Sequence, residues 1–260
     1  MTHGQEKAAA PRRLGLLEEV ADTAKTVAGA LLIFLVLRVV VFQPYTIPSS
    51  SMEPGLVTGD YIVVSKWSYG WSRASIPFNP PLLEGRLWNP WFGQAPRRGD
   101  VVVFRLPRAP GEAYIKRLIV LPGDRVQVVA GRVLVNGVPI PRRPAGIGSD
   151  HDAPGRIVTR AIETAPDGRR YVTFAGASDG EGDNTEVYRV PDGGYFFMGD
   201  NRDNSLDSRW PTAIGVGFVP AENLIGKAQV VVLSWRGGAS ILKPWTWLSL
   251  DVSRFLQPIV

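Results

Sequence analysis

Ser51 stands in Ile47-Pro48-Ser49-Ser50-Ser51-Met52-Glu53-Pro54, just downstream of the only membrane-length apolar run, and Lys116 stands in Tyr114-Ile115-Lys116-Arg117. A serine hydroxyl is a weak nucleophile at neutral pH until a neighbouring base takes its proton. A lysine amine can be that base where burial without a counter-ion brings its pKa down to roughly 7 to 8. Lys116 sits between Ile115 and the run Leu118-Ile119-Val120-Leu121, so strand alternation would aim it into a covered site and turn Arg117 the other way. The only histidines, His3 and His151, lie in a polar tail and in a Gly/Asp/Pro-rich stretch, which disfavours a Ser-His-Asp triad. The chemistry these residues suggest is a serine nucleophile activated by a lysine at a membrane surface. Read singly, each has an ordinary alternative: Ser51 as one polar residue of a Ser-rich linker, Lys116 as a solvated strand lysine.

A third feature is the polar block Gly199-Asp200-Asn201-Arg202-Asp203-Asn204-Ser205-Leu206-Asp207-Ser208-Arg209, directly after the apolar run Tyr195 to Met198. So many charges must be satisfied locally or serve a site. An EF-hand calcium loop needs oxygen ligands at alternate positions and then a glycine, and Arg202 and Asn204-Ser205 break that register. A hydrogen-bonded turn with internal Asp-Arg pairs is the ordinary alternative.

The elements that must position these residues follow from the rest of the chain. With 260 residues, 45% hydrophobic and 20% charged, it can bury a sizeable core and is too apolar to be disordered. One globular unit plus an anchor is expected. The net charge of +5 is spread along the chain without a nucleic-acid-binding motif, so an anionic membrane surface is the better partner and no nucleic acid is expected. With zero cysteines there is no disulfide, thiol nucleophile or thiolate metal site. Topology must therefore decide the compartment.

Thr26 to Phe42 reads TVAGALLIFLVLRVVVF, interrupted only by Arg38, whose side chain can snorkel to the interface. Lys7, Arg12, Arg13 and Lys25 precede it, so the positive-inside bias places the N-terminus in the cytoplasm and everything after Gln43 outside. A cleavable signal peptide and a buried core helix are the competing readings, and Gln43 to Pro48 lacks a small-residue cleavage signature. Leu14 to Lys25 has helical spacing that could run into the anchor.

After Pro48, short β-rich runs dominate: Tyr61 to Trp67, Val101 to Arg105, Tyr114 to Leu121, Val126 to Val129, Arg132 to Val135, Tyr171 to Ala175, Tyr195 to Met198 and Ala228 to Trp235. Ala130-Gly131 and Asn136-Gly137 signal hairpins. The expected fold is mainly β, an antiparallel-sheet catalytic domain with a smaller β insert and an N-terminal transmembrane helix. The layout is a tail over 1–25, a span over 26–42, the catalytic β domain over 43–139 and 192–245, an inserted lobe over 140–191 and a C-terminal tail over 246–260. Ser68 to Arg98 is rich in Pro and aromatics, including Trp71, Phe78, Trp88, Trp91 and Phe92, and fits no period.

In combination and order these boxes are specific. The sequence resembles bacterial type I signal peptidase, the membrane-bound Ser-Lys protease that removes signal peptides from exported preproteins. The resemblance rests on Ile47 to Met52 with Pro54, Leu56, Gly59 and Asp60, on Gly99 to Phe104, and on Tyr114 to Arg117 leading to Leu121-Pro122-Gly123-Asp124. It continues through Gly199 to Arg209 and Gly217-Phe218-Val219-Pro220 with Gly226, in order over roughly residues 27 to 235.

The resemblance implies Ser51 as nucleophile and Lys116 as general base, with the Ser51 amide and the Ser49 hydroxyl as oxyanion donors. It implies that Ser205 orients the lysine ammonium, supported by Asp207 and Arg209. It further implies cleavage after an Ala-X-Ala pattern, with Tyr45, Ile47, Pro48, Met52, Leu56, Val103, Tyr114 and Ile115 lining the pocket and an extended substrate adding main-chain hydrogen bonds. No metal or organic cofactor is implied. The partners implied are preprotein signal peptides, the phospholipid bilayer and the export translocon, at the bacterial inner membrane with a single pass and a periplasmic catalytic domain. The chain departs from better-known members in having one convincing span and an insert without cysteines. The Trp71 to Phe92 stretch and Trp245-Thr246-Trp247-Leu248 are expected to meet the outer leaflet, with ordinary loop packing as the alternative. Two further readings stay open: a Ser-Lys peptidase specialised for one pilin or conjugation substrate, and an inactive membrane-anchored β module that binds partners.

Overall fold

The computed structural model describes residues 15–76, 86–87, 94–150, 155–176, 180–235 and 244–260. His3, His151, the first residues of the N-terminal tail, and Phe78, Trp88, Trp91 and Phe92 of the aromatic stretch lie outside the described residues. The chain divides into two units, residues 1–38 and 39–260.

The first unit holds most of the helix Leu16–Val40, which joins the described part of the helically spaced segment before Lys25 and the apolar run into one element. Its early turns carry Glu18, Glu19 and an exposed Lys25–Asp22 ion pair at 2.9 Å. Glu18–Arg38 is long and apolar enough to cross a membrane, because 21 residues rise about 31 Å, the thickness of a hydrocarbon core. The side chains from Leu31 to Leu37 are all at least half exposed, so none of them is spent on a protein core. The apolar run outlasts the helix: Phe42 already belongs to the first strand, where its side chain is exposed.

The second unit is built on an eight-stranded antiparallel sheet. Its order is Phe42–Thr46, Asp60–Ser65, Leu224–Ser234, Val101–Leu106, Ala109–Val120, Gly194–Met198 and Val219–Pro220, with Gln257–Pro258 pairing beside Leu224–Ser234. Strand alternation divides the central strand between two cores. Val101 and Val103 pack with Ile47, Met52, Leu56, Ile62 and Val64 on one side, while Val102, Phe104 and Leu106 pack with Leu118, Phe197 and Leu224 on the other. A strand buried on both faces reads as a continuous apolar run, which is how Val101 to Phe104 reads.

Three smaller sheets accompany this one among the described residues, the smallest being Trp71–Ser72 paired with Arg86–Leu87. Arg125–Val129, Arg132–Val135, Val138–Pro139 and Tyr188–Arg189 form a four-stranded sheet whose hairpin loops are Ala130-Gly131 and Asn136-Gly137. All four loop residues have positive φ, between 48° and 83°, as two-residue turns between twisted strands require. Arg142–Ser149, Ile157–Thr164 and Arg170–Ala175 form a three-stranded antiparallel sheet. The first two of these strands are not among the β-rich runs picked out in the sequence, and Arg142–Ser149 is polar and largely exposed. The last residues are also part of the fold, since Gln257 and Pro258 pair with Val231 and Val230. Arg254 clasps the buried Asp60 at 2.8 and 2.6 Å.

Candidate active site

Ser51 is placed by a single 3-10 turn, Ser50–Met52, that leaves strand Phe42–Thr46 and is buried at all three positions. Two asparagines of the polar block anchor the turn. Asn201 donates through Nδ2 to the Ser50 carbonyl at 3.2 Å and through its backbone N–H to the Ser51 carbonyl at 3.2 Å. Asn204 Nδ2 donates to Ser50 Oγ at 2.7 Å. With its carbonyl so occupied, Ser51 is left with its hydroxyl facing the groove.

Lys116 lies on strand Ala109–Val120, which pairs with the central strand Val101–Leu106. Its Nζ donates to Ser51 Oγ at 2.6 Å and to the Ile115 carbonyl at 3.0 Å, and lies 5.6 Å from the Tyr114 ring centre. The side chain is 4% exposed. Burial brings its pKa down from 10.5 to about 8, against the opposing pull of Asp207 and Asp200. Arg117 points to the other side of the strand, as alternation requires, where its guanidinium grips Asp200 at 2.7 and 2.6 Å.

The polar block is only partly self-contained. Asp207 pairs within it, accepting from Arg209 Nε and Nη2 at 2.9 Å each and from the Gly199 N–H at 2.9 Å. These bonds, chiefly the Arg209 guanidinium against the cost of burial, hold its carboxyl below the usual carboxylate range. Asp200 reaches out to Arg117, and Arg202 reaches out to Glu163 at 2.7 and 2.6 Å. The sequence reading missed Arg117, Asp200, Asn201, Arg202, Asn204 and Glu163 as parts of this network. The density of charge after an apolar strand signalled Asp200, Asn201, Arg202 and Asn204, the alternation that turns Arg117 away from Lys116 signalled a separate partner for it, and nothing local signals Glu163.

Gly199 has a steric reason to be glycine. A β-carbon there would lie 2.3 Å from Ser205 Oγ and 2.5 Å from the Ser51 carbonyl oxygen. Ser205 is buried and its Oγ has no hydrogen-bond partner among the described residues, so its hydroxyl does not hold Lys116 in this structure.

The pair opens on a groove of about 1080 Å³. One part of its wall is Pro48, Ser49 and Ser51, and another is Glu112 to Lys116. The remainder is Arg202 to Leu206, Trp210, Arg156 and Gly180 to Gly182. Ser49 Oγ lies 3.4 Å from Ser51 Oγ. Of the eight residues expected to line a substrate pocket, Pro48, Tyr114 and Ile115 border the groove. Ile47, Met52, Leu56 and Val103 are at most 2% exposed and form the core beneath, with Tyr45 and Ile115 packed against them. Apolar character alone does not distinguish wall from core.

This arrangement can carry acyl transfer by a serine whose base is an amine. The family model described as signal peptidase, peptidase S26, matches residues 20–235. Signal peptidase I of Rickettsia canadensis is 39% identical over 244 residues, covering 86% of this chain and 88% of that protein. Signal peptidase I of Rickettsia typhi is 41% identical over 234 residues, covering 82% and 84%. The crystal structure of a signal peptidase I from Enterococcus faecalis V583 is 27% identical and covers 52% of this chain and 97% of its own, with a TM-score of 0.31. By the extent of the family match and of the Rickettsia relatives, the chain belongs to the signal peptidase family, peptidase S26, and is a serine endopeptidase.

Proposed function

We propose that the protein removes signal peptides from exported preproteins, with Ser51 as nucleophile and Lys116 as general base. The observation that carries this reading is the 2.6 Å contact between Lys116 Nζ and Ser51 Oγ, made by an amine that burial has brought to about 8. At that pKa an appreciable fraction of the amine is neutral near pH 7 to 8 and can take a proton.

In the first half-reaction Ser51 Oγ bonds to the scissile carbonyl carbon as its proton passes to Lys116 Nζ. The negative charge moves to the carbonyl oxygen, for which the Ser51 N–H and the Ser49 hydroxyl are the donors. One such donor contributes on the order of 3 kcal/mol of transition-state stabilisation. The ammonium then protonates the leaving amine, the C–N bond breaks, and an ester to Ser51 remains. In the second half-reaction water adds to the ester with Lys116 again as base, and Ser51 recovers its proton as the acid leaves.

The substrate is bound as an extended strand. Ala113 to Arg117 pair with Val101 to Arg105 on one side, whereas on the other side Gly194–Met198 pairs only with Arg117 to Val120. Ala113 to Lys116 therefore keep one free main-chain edge among the described residues, and these residues border the groove. Chain added there aims its first and third residues before the scissile bond to the same side, which suits an Ala-X-Ala site. Pro48, Tyr114 and Ile115 form the contacting wall, and the core of Ile47, Met52, Leu56 and Val103 keeps it from yielding to larger side chains.

The helix Leu16–Val40 is the membrane anchor, with the N-terminus cytoplasmic and the catalytic unit periplasmic, as the basic residues before the span favour. The three-stranded sheet belongs to an inserted lobe over 140–191. Trp245 and Leu248, 77% and 98% exposed, suit the outer leaflet where a translocon delivers the substrate.

The test is cleavage of a preprotein carrying an Ala-X-Ala site by detergent-solubilised wild type, Ser51→Ala and Lys116→Ala, with the new N-terminus sequenced. Cleavage after the second alanine by wild type alone is expected. Activity retained in either variant sinks the Ser-Lys assignment.

A further inference from the structure

Glu163 stands on strand Ile157–Thr164 of the three-stranded sheet, does not itself border the catalytic groove, and is 1% exposed. Its Oε1 accepts from Arg202 Nη1 at 2.7 Å and its Oε2 from Arg202 Nη2 at 2.6 Å. The Tyr171 hydroxyl donates to Oε2 at 3.0 Å, from the residue directly opposite Glu163 in the ladder. Burial opposes this charge, yet the Arg202 guanidinium and the three hydrogen bonds hold the Glu163 carboxyl below its ordinary value. A forked pair of this kind sets the orientation of a guanidinium as well as its distance.

What that orientation controls lies on the far side of Arg202. Its Nε donates to the Gly199 carbonyl at 3.1 Å, and its own carbonyl accepts from Arg209 Nη2. The Gly199 N–H donates to Asp207, the carboxylate that Arg209 chelates. Gly199 is thus gripped at its carbonyl by Arg202 and at its N–H by Asp207, and it lies against Ser205 Oγ and the Ser51 carbonyl with no room for a β-carbon. A second contact leaves the same sheet: the Tyr171 ring lies 3.9 Å beneath the Arg117 guanidinium, which clasps Asp200. The Phe174 N–H donates to the Asp200 carbonyl at 2.8 Å.

We propose that Glu163 is a positioning residue of the active site, held by Tyr171 and acting through Arg202 on Gly199, so that the three-stranded sheet sets the geometry of the Ser51 and Lys116 pair. This rests on the reading of Ser51 and Lys116 as nucleophile and base. The chain of contacts has a charge count as well. Arg117, Arg202 and Arg209 are matched one to one by Asp200, Glu163 and Asp207, all six buried. The charges bearing on Lys116 are Asp207 and Asp200, with the Tyr114 ring beside it and Glu112, Arg156, Glu181, Arg202 and Asp203 on the groove wall. Those bearing on Glu163 are Arg202 and Arg142, with the Tyr171 hydroxyl. Neutralising Glu163 leaves a buried Arg202 to draw on Asp200, one of the two carboxylates that favour the Lys116 ammonium, which disfavours that ammonium.

The test uses the full chain in detergent with a preprotein substrate, comparing wild type, Glu163→Gln, Tyr171→Phe and a Ser51→Ala blank. In Glu163→Gln, kcat is expected to fall about tenfold or more, since one partner of a buried forked pair is lost, while KM stays within about twofold because Glu163 touches no substrate. Its ascending pH limb is expected to move to lower pH, by about half a unit or more. Tyr171→Phe keeps the ring and loses only the hydroxyl, so kcat is expected to fall about threefold with KM unchanged. Folded Glu163→Gln with a lower melting temperature but wild-type kcat and an unmoved limb would reduce Glu163 to a fold stabiliser and overturn the proposal. Should that variant not fold, Tyr171→Phe decides by the same split, and wild-type kcat in it overturns the proposal. Activity in Ser51→Ala would remove the underlying reading instead, so the two failures are told apart.

Discussion

Gly199 passes so close to Ser205 that a β-carbon on it would lie 2.3 Å from Ser205 Oγ. The same β-carbon would lie 2.5 Å from the Ser51 carbonyl oxygen, so it would separate the Ser51 turn from the polar block. Asn201 and Asn204 hold these two segments together, and that contact sets where Ser51 points.

Gly199→Ala should therefore fold but lose catalysis. Overpacking costs about 1 to 3 kcal/mol of stability, and displacement of the nucleophile by about 1 Å costs on the order of a hundredfold in rate. Preprotein cleavage alongside thermal melting checks this; a variant with wild-type kcat would show that the Ser51 turn tolerates the shift.

Lys116 links pH to both activity and stability. Because only the neutral amine is a base, kcat/KM should rise with pH through a midpoint near the value of about 8 that burial imposes. The stability sign follows from the same depression. Between about pH 8 and 10.5 the unfolded chain carries a proton on this lysine that the folded chain has lost, so stability rises with pH across that window. Below it both states are protonated and the full cost of a buried ammonium is present, on the order of 3 kcal/mol. Lys116→Met should accordingly be inactive yet melt higher than wild type at pH 6 to 7, with the gap closing toward pH 10. Equal melting of the two at neutral pH would contradict the buried, depressed amine.

Ser205 separates stability from catalysis in a different way. Its hydroxyl is buried and bonds to no described residue, so Ser205→Ala should leave the melting temperature unchanged or slightly raised. An ammonium formed on Lys116 during turnover has three N–H donors, and the structure supplies Ser51 Oγ and the Ile115 carbonyl. Ser205 borders the same groove, and in the proposed mechanism its Oγ is the third acceptor. A hydrogen bond to a charged group contributes about 1.5 to 3 kcal/mol, so kcat should fall roughly tenfold to a hundredfold. A Ser205→Ala enzyme with wild-type kcat would end that role.

The sequence by itself determined the elements whose signals are local. Val101 to Phe104 reads as a strand covered on both faces, Ala130-Gly131 and Asn136-Gly137 read as tight hairpins, and the apolar run reads as a spanning helix, because period and turn chemistry act between near neighbours. The motifs around Ser51 and Lys116 were legible too, and the fold brings those two side chains within 2.6 Å. Three things waited on the tertiary structure. Ile47, Met52, Leu56 and Val103 went to the core while Pro48 and Ile115 went to the groove, since apolar residues differ only in what is folded over them. Ser205 came close to Gly199 without bonding to Lys116. Arg117 found Asp200, 83 residues away, and Arg202 found Glu163, 39 residues away. A buried charge must take whichever opposite charge the fold brings to it, and that distance in sequence has no local period to read.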